Sequence, residues 1–395
     1  MRYAHAPREV VLDIGPVAHG GHCVARLDEL VVFVRHALPG ERVRARITEE
    51  RKGYLRADAI EILQPSPDRV PAPCRYAHPG GCGGCDFQHA TPAAQRDLKA
   101  DVVREQLARL GGLPGVDVTV EELPGGPLGW RTRVQYAVDQ HGYPGFHPAR
   151  SHEVIPIGEC LIATPAIRKA PVTGRQWRGV DAVEVVSSSA GELSVLTRLG
   201  RGRPRVVSGP ARVHESAAGH TWELPAEAFW QVHPESAGTL AAAVLEFLAP
   251  QPGERAFDLY GGSGLFSVPL AEAVGITGSV TLVEADPAGT AGAAKLLDGL
   301  PQVHVVTGRV ERVLEGLGEA DIVVLDPPRA GAGAAVIEEI VATGARAVAY
   351  VACDPAALAR DVRTFRSYRW ELAGLRAFDC FPMTHHVECV ALFRP

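Results

Sequence analysis

The chain has 395 residues, 46% apolar and 22% charged, a globular composition too long for one ordinary core, so two or three domains are expected. It contains no run of about 18 apolar residues to span a bilayer, and its opening MRYAHAPREVVLDIG lacks the basic-then-apolar order of a secretory signal. The net charge of −6 argues against a nucleic-acid partner until its distribution is read, because residues 231–395 alone carry −8 (twelve basic against twenty acidic). The expected compartment is the cytoplasm, where eight cysteines should be thiols or ligands rather than disulfides.

Residues 8–66 alternate apolar and polar over short runs (EVVLDIG, GHCVARLD, LVVFVRHAL, ERVRARITEE, YLRADAIEIL) punctuated by Gly and Pro. That pattern predicts a small antiparallel β-barrel. Residues 67–90 form a Pro- and Gly-rich cysteine segment. A helix should follow in TPAAQRDLKADVVREQLARLGG, with Thr91 as its cap. Residues 126–230 look strand-rich and carry +3 (twelve basic against nine acidic), including IRKAPVTGRQWR and RLGRGRPR. These arginines suit phosphates, though on charge alone they read as solvated loops. From residue 238 strands and helices alternate, which specifies a parallel sheet covered on both faces.

Three constellations carry chemistry. In AFDLYGGSGLFSVPLA a buried strand ends at Asp258–Tyr260, and Gly261, Gly262 and Gly264 follow before a helix near Leu265. Glycines there let backbone approach a ligand at the carboxyl end of a strand. Glu284 ends the next strand, 26 residues after Asp258, suited to both hydroxyls of a ribose. A tight turn and a solvated acid would explain either feature alone; together with the alternating sheet they point to a nucleoside cofactor. In VVLDPPRAGAG, Asp326 ends an apolar strand before two stiff prolines, on the same rim. Cys74, Cys82 and Cys85 are spaced C-x7-C-x2-C, and Cys160 follows in IPIGECLIATPAI. Four cytosolic thiols suit zinc or an iron–sulfur cluster, with His78 and His89 keeping a zinc site open. Finally, VAYVACDPAALARD puts Cys353 where a core strand stops, either a packed strand-end cysteine or a nucleophile.

FDLYGGSGLF, LDPPRAGAG, VACDPAALARD and FPMTHHVECV occur in this order, together with FWQVHPE. Over nearly its whole length the chain resembles the S-adenosylmethionine-dependent RNA uracil-5-methyltransferases, specifically the ribosomal-RNA branch with a TRAM domain and an iron–sulfur cluster. The resemblance implies a multidomain α/β protein: a TRAM-like β-barrel at 1–66, a cysteine loop and central β-rich RNA-binding domain at 67–230, and a Rossmann-like class I methyltransferase domain at 231–395. It implies Cys353 as nucleophile and Glu388 as general base. Gln231, Tyr260, Glu284 and Asp326 fall on its S-adenosylmethionine-binding positions, beside Asp258, Gly262 and Gly264 of the glycine loop. Cys74, Cys82, Cys85 and Cys160 fall on [4Fe–4S] ligands. The implied partner is RNA, 23S ribosomal RNA before transfer RNA, with no membrane and no obligate protein partner.

The chain departs from the family pattern at four places. The first cysteine spacing is x7 rather than x5, His233 replaces an asparagine, Leu265 replaces a polar residue, and Arg309 stands where a small polar or acidic residue contacts the adenine end. Competing readings are a transfer-RNA enzyme, a cluster-bearing RNA-binding protein without activity, and a small-molecule carbon methyltransferase. The TRAM-like barrel, the cysteine segment and the Cys353–Glu388 pair argue against them.

Overall fold

The computed structural model describes residues 8–395. The first seven, on which part of the reading of the chain's start rests, lie outside the described residues. Six strands, Glu9–Asp13, Val17–Ala18, His22–Leu27, Leu30–Arg35, Arg42–Arg51 and Tyr54–Gln64, form one sheet in the order first, fifth, sixth, fourth, third, second. Inward positions such as Val32, Val34, Val43 and Ala45 are fully buried, which is why the alternation is legible. The all-antiparallel expectation is corrected: Leu30–Arg35 runs parallel to Tyr54–Gln64, with Val31 opposite Tyr54. The cause is the turn after Leu30–Arg35. Buried Glu41 accepts from Leu38 N at 2.8 Å and from Arg69, fixing a turn that carries the fifth strand outward, so the sixth returns between fifth and fourth. Among the described residues no pairing of the outer strands closes the sheet. Instead Gly15 N donates to Val24 O at 2.8 Å and Val24 N to Pro16 O at 2.9 Å.

After the cysteine segment, Pro92–Arg109 is helical, with Thr91 Oγ1 accepting from Ala94 N at 3.3 Å and proline at the first position. Residues 92–122 fall within the span expected to be central, yet they pack with the C-terminal domain. Ala100, Val103 and Leu107 share a core with Val362 and Phe365, and Val120–Glu122 pairs with Glu371–Asp379. The central part is a six-stranded antiparallel sheet built from strands between Arg133 and Ser208, followed by the hairpin Arg212–Ala217/His220–Pro225. Buried Arg133 joins them: it lies 2.8 Å from Glu215 and donates to Ala226 O and Ala228 O.

The C-terminal sheet places five parallel strands in the order Val303–Thr307, Ser279–Glu284, Arg255–Leu259, Ile322–Leu325, Ala347–Ala352. Glu388–Arg394 joins antiparallel to Ala347–Ala352, and Glu371–Asp379, antiparallel to Glu388–Arg394, runs again with the five; the reversed strand is an addition to the parallel pattern predicted. Alternate residues face opposite layers. Val348 and Tyr350 pack with helices Ala334–Ala342 and Pro355–Ser367, while Ala349 and Val351 pack with Ser236–Leu248 and Ser267–Val274. Strand order reverses between Arg255–Leu259 and Ile322–Leu325, so a crevice opens beyond their carboxyl ends. Among the described residues no helix is long and apolar enough to cross a membrane.

Candidate active site

The crevice is a cleft of about 500 Å³. Strand Arg255–Leu259 delivers Tyr260 in a left-handed conformation (φ 59°), and Gly262 continues it at φ 52°. A side chain at Gly261 would put its Cβ 2.7 Å from Leu282 Cγ, so the turn lies flat on the sheet. Glu284 holds this turn from the next strand: its two carboxylate oxygens accept from Gly262 N at 3.0 Å and Asp286 N at 2.7 Å. Gln231, Tyr260, Gly262, Glu284 and Asp326 all line the cleft. Asp258 and Gly264 do not. Asp258 is fully buried beneath the turn, where Ser267 Oγ donates to it at 2.6 Å and burial pushes its carboxyl up to about 7. Gly264 faces Leu282 and Leu297.

The departures separate in the same way. Leu265 lines the cleft, Arg309 stands at the start of helix Val310–Val313 outside the cleft's lining, and His233 is buried against Trp130 with ring centroids 5.9 Å apart. Burial lowers His233 to about 4, so it is neutral. Sequence reasoning missed Phe229, 75% exposed at the cleft. The signal was an aromatic in AFWQ with no apolar partner pattern.

Cys353 and Glu388 meet through strand register. Ala352 pairs with Cys389 in the antiparallel ladder; Cys353 follows the one and Glu388 precedes the other, close enough for the charge of Glu388 to act on the thiol. Burial, then the charges of Glu388 and Asp326, push the Cys353 thiol up to about 11, while Arg329 opposes them. Burial, then Asp326, raise Glu388 well above the usual carboxylate range, again against Arg329. Burial, then Asp258, push Asp326 up to about 7. Asp354 turns its carboxylate to Ala357 N at 2.8 Å, capping the following helix, and to His19.

Cys353 opens onto a small cavity of about 120 Å³ beside the cleft, whose other walls include His19, Gly20, Gly21, Phe87, Arg329 and His386. Glu388 lines neither space. The turn Asp326–Arg329 divides the two. Asp361 holds the loop beyond it, accepting from Ala332 N at 2.8 Å and Tyr350 OH at 2.7 Å. The cavity walls from the first domain carried no sequence signal, because they lie more than 300 positions from the cysteine.

Cys74, Cys82, Cys85 and Cys160 are all free thiols. Burial, with the charges of neighbouring thiols added, pushes Cys82 to about 11 and Cys85 to about 12; Cys160 and Cys74 act on Cys82, and Cys160 and Cys82 on Cys85. The four therefore face a shared region. Among the described residues no three or more His, Cys, Asp or Glu side chains close around a single metal ion. His78 and His89 are turned to the backbone carbonyls of Pro79 and Ala37.

Comparison with known proteins decides the family. The TRAM domain profile matches residues 8–60, and that of tRNA (Uracil-5-)-methyltransferase matches residues 312–394. An "Uncharacterized RNA methyltransferase" of Streptomyces avermitilis is 48% identical, covering 98% of this chain and 98% of its own. The "23S rRNA (uracil(1939)-C(5))-methyltransferase RlmD" of Thiobacillus denitrificans is 33% identical, covering 97% and 99%. The chain belongs to the RNA (uracil-5-)-methyltransferases. This methyltransferase also shares its fold with the Pyrococcus abyssi tRNA (uracil-54, C5)-methyltransferase crystallised with S-adenosyl-L-homocysteine: TM-score 0.73, 20% identity, 96% and 99% of the two chains covered. It is an S-adenosylmethionine-dependent enzyme acting on RNA, and its N-terminal sheet is a TRAM domain.

Proposed function

We propose that this methyltransferase modifies carbon 5 of a uridine in 23S ribosomal RNA through a covalent bond between Cys353 and carbon 6 of the base. The observation that carries the route is Cys353 on the wall of a base-sized cavity beside a separate nucleoside cleft, with Glu388 brought near it by the Ala352–Cys389 pairing. The ribosomal target draws on the full-length likeness to the Thiobacillus denitrificans enzyme.

S-adenosylmethionine supplies the methyl group as a sulfonium. Gln231, Tyr260 and Asp326 line its cleft, and Glu284 keeps lone pairs free for ribose hydroxyls while holding the Gly262 turn. Carbon 5 of uracil is too weak a nucleophile alone. The Cys353 thiol gives its proton to solvent, with the nearby Arg329 favouring the thiolate; the thiolate adds to carbon 6, the ring becomes an enolate, and carbon 5 then takes the methyl group. Glu388 afterwards removes the proton from carbon 5, and the carbon 6–sulfur bond breaks to return the thiolate. The raised thiol and carboxyl fit this order. Burial raises both groups first; the charges of Glu388 and Asp326 add to it at Cys353, and that of Asp326 at Glu388. Once sulfur is a thioether its charge is gone, and Glu388 ionises more readily when a base is needed. The target base leaves its stack to reach Cys353, at a cost of a few kcal/mol.

The four thiols suit a [4Fe–4S] cluster, the reading the family resemblance favours over zinc; the set is all thiol and faces one region. The cluster would tie the 67–90 loop to the central domain through Cys160. Anaerobically purified enzyme should contain about four irons per chain; stoichiometric zinc without iron would overturn the assignment.

The target is tested by mass-spectrometric mapping of 5-methyluridine in ribosomal and transfer RNA from a deletion strain. Loss of one or more 23S sites supports this reading. Loss confined to transfer RNA contradicts it.

A further inference from the structure

We propose that His19 of the TRAM domain is a positioning residue for the reaction, holding the nucleophile turn through Asp354; this rests on the reading of Cys353 as the nucleophile. His19 lies in the loop between strands Val17–Ala18 and His22–Leu27, 335 positions from Asp354, yet its Nε2 is 3.0 Å from Asp354 Oδ2. The other oxygen of Asp354 accepts from Ala357 N at 2.8 Å. Asp354 is thus gripped from both sides. Cys353 is the residue before it and follows directly on the end of strand Ala347–Ala352. The direction of the thiol is set by a backbone turn whose only side-chain anchor to another domain is this pair among the described hydrogen bonds of Asp354.

The pair also settles a charge. A free carboxylate beside the sulfur would oppose the thiolate. Asp354 is engaged by the helix start and by His19, and the charges that raise the Cys353 thiol come from Glu388 and Asp326 instead. The bond to Asp354 in turn raises His19 above its ordinary value, favouring the imidazolium that neutralises this carboxylate.

The loop is docked without His19. A Cβ on Gly21 (φ 76°) would lie 2.6 Å from His385 Cβ, so the loop backbone lies against the segment leading to Glu388. Asp86 accepts from His385 Nδ1 at 2.6 Å and from Arg35 Nη2 of the TRAM domain at 3.2 Å. Removing the imidazole should leave the domains joined while freeing the Cys353–Asp354 turn and removing one side chain from the cavity wall.

The test uses full-length enzyme with S-adenosylmethionine and ribosomal or transfer RNA transcripts carrying 5-fluorouridine, taking whichever traps the parent enzyme. At saturating RNA, His19→Ala should form the denaturation-stable adduct roughly tenfold to a hundredfold more slowly, the scale of a misplaced reacting group. Melting temperature should stay at the parental value, and any weakening of RNA binding should be too small to explain the slower trapping at saturating RNA. His19→Gln, whose amide can reach Asp354, should recover most of the rate. Asp354→Asn should be slow by itself and no slower when combined with His19→Ala. A parental trapping rate in His19→Ala overturns the proposal, as does a loss explained wholly by weaker RNA binding, or a His19→Gln enzyme as slow as His19→Ala. If His19→Ala unfolds, the Asp354→Asn and His19→Gln results decide on the same terms. A parent enzyme that traps neither RNA overturns the Cys353 reading instead.

Discussion

Asp258 ends the strand before the glycine turn, where a cofactor ligand is expected, but its carboxylate is fully buried with Ser267 as donor. Its folded pKa of about 7 lies above the roughly 3.9 of an unfolded aspartate. Between those values the folded chain holds a proton that the unfolded chain lacks, so this residue lowers stability as pH rises from about 4 to about 7, and by a constant amount above. Asp258→Asn should therefore gain on the parent across that window. Urea midpoints at pH 5 and pH 8 should show the difference moving in the variant's favour; no change between the two would contradict it. Glu388 calls for a different variant. Glu388→Gln keeps the shape but cannot take a proton, so ordinary RNA should accumulate a methylated adduct on denaturing gels. Equal turnover without adduct would remove Glu388 from the mechanism.

Among the elements, the helix Pro92–Arg109 was legible from its cap and its proline, whereas its partner was not. Lys99, with no exposed side-chain surface, sits 2.5 Å from Asp379 Oδ1 and 3.0 Å from Phe381 O, pinning the helix to the strand end that leads to the His385–Glu388 segment. Nothing local marks a lysine as buried; its neighbour is 280 positions away. Lys99→Met leaves Asp379 charged and unpaired, and should cost about 3–5 kcal/mol in urea unfolding. Adding Asp379→Leu should restore much of that loss. The glycine turn, Asp326 and the strand carrying Cys353 were all readable because each motif is a strand end with its own turn chemistry. The TRAM register was less so: alternation reveals which face a strand buries, but a parallel or antiparallel neighbour buries the same face.

At the scale of the molecule, the order of its parts could be read, while their mutual closeness could not. The cavity at Cys353 takes walls from the TRAM loop, from Phe87 and from the C-terminal domain, and only folding brings these together. Arg201 and Arg203 of RLGRGRPR stand exposed in the loop between strands Leu193–Arg198 and Arg205–Ser208, and exposed Arg205 opens the second strand. If they meet phosphates, replacing Arg201, Arg203 and Arg205 with alanine should weaken RNA binding and reduce its salt slope by roughly 0.7 for each phosphate no longer neutralised. An unaltered slope would return them to solvated loop.

The covalent route is the centre of this account, and one measurement reaches it directly. RNA carrying 5-fluorouridine has no removable proton at carbon 5, so the adduct cannot resolve. Peptide mass mapping of the trapped complex should find the nucleotide, methylated, on the peptide containing Cys353. A complex trapped through any other residue, or a Cys353→Ala enzyme that still methylates RNA, would contradict it.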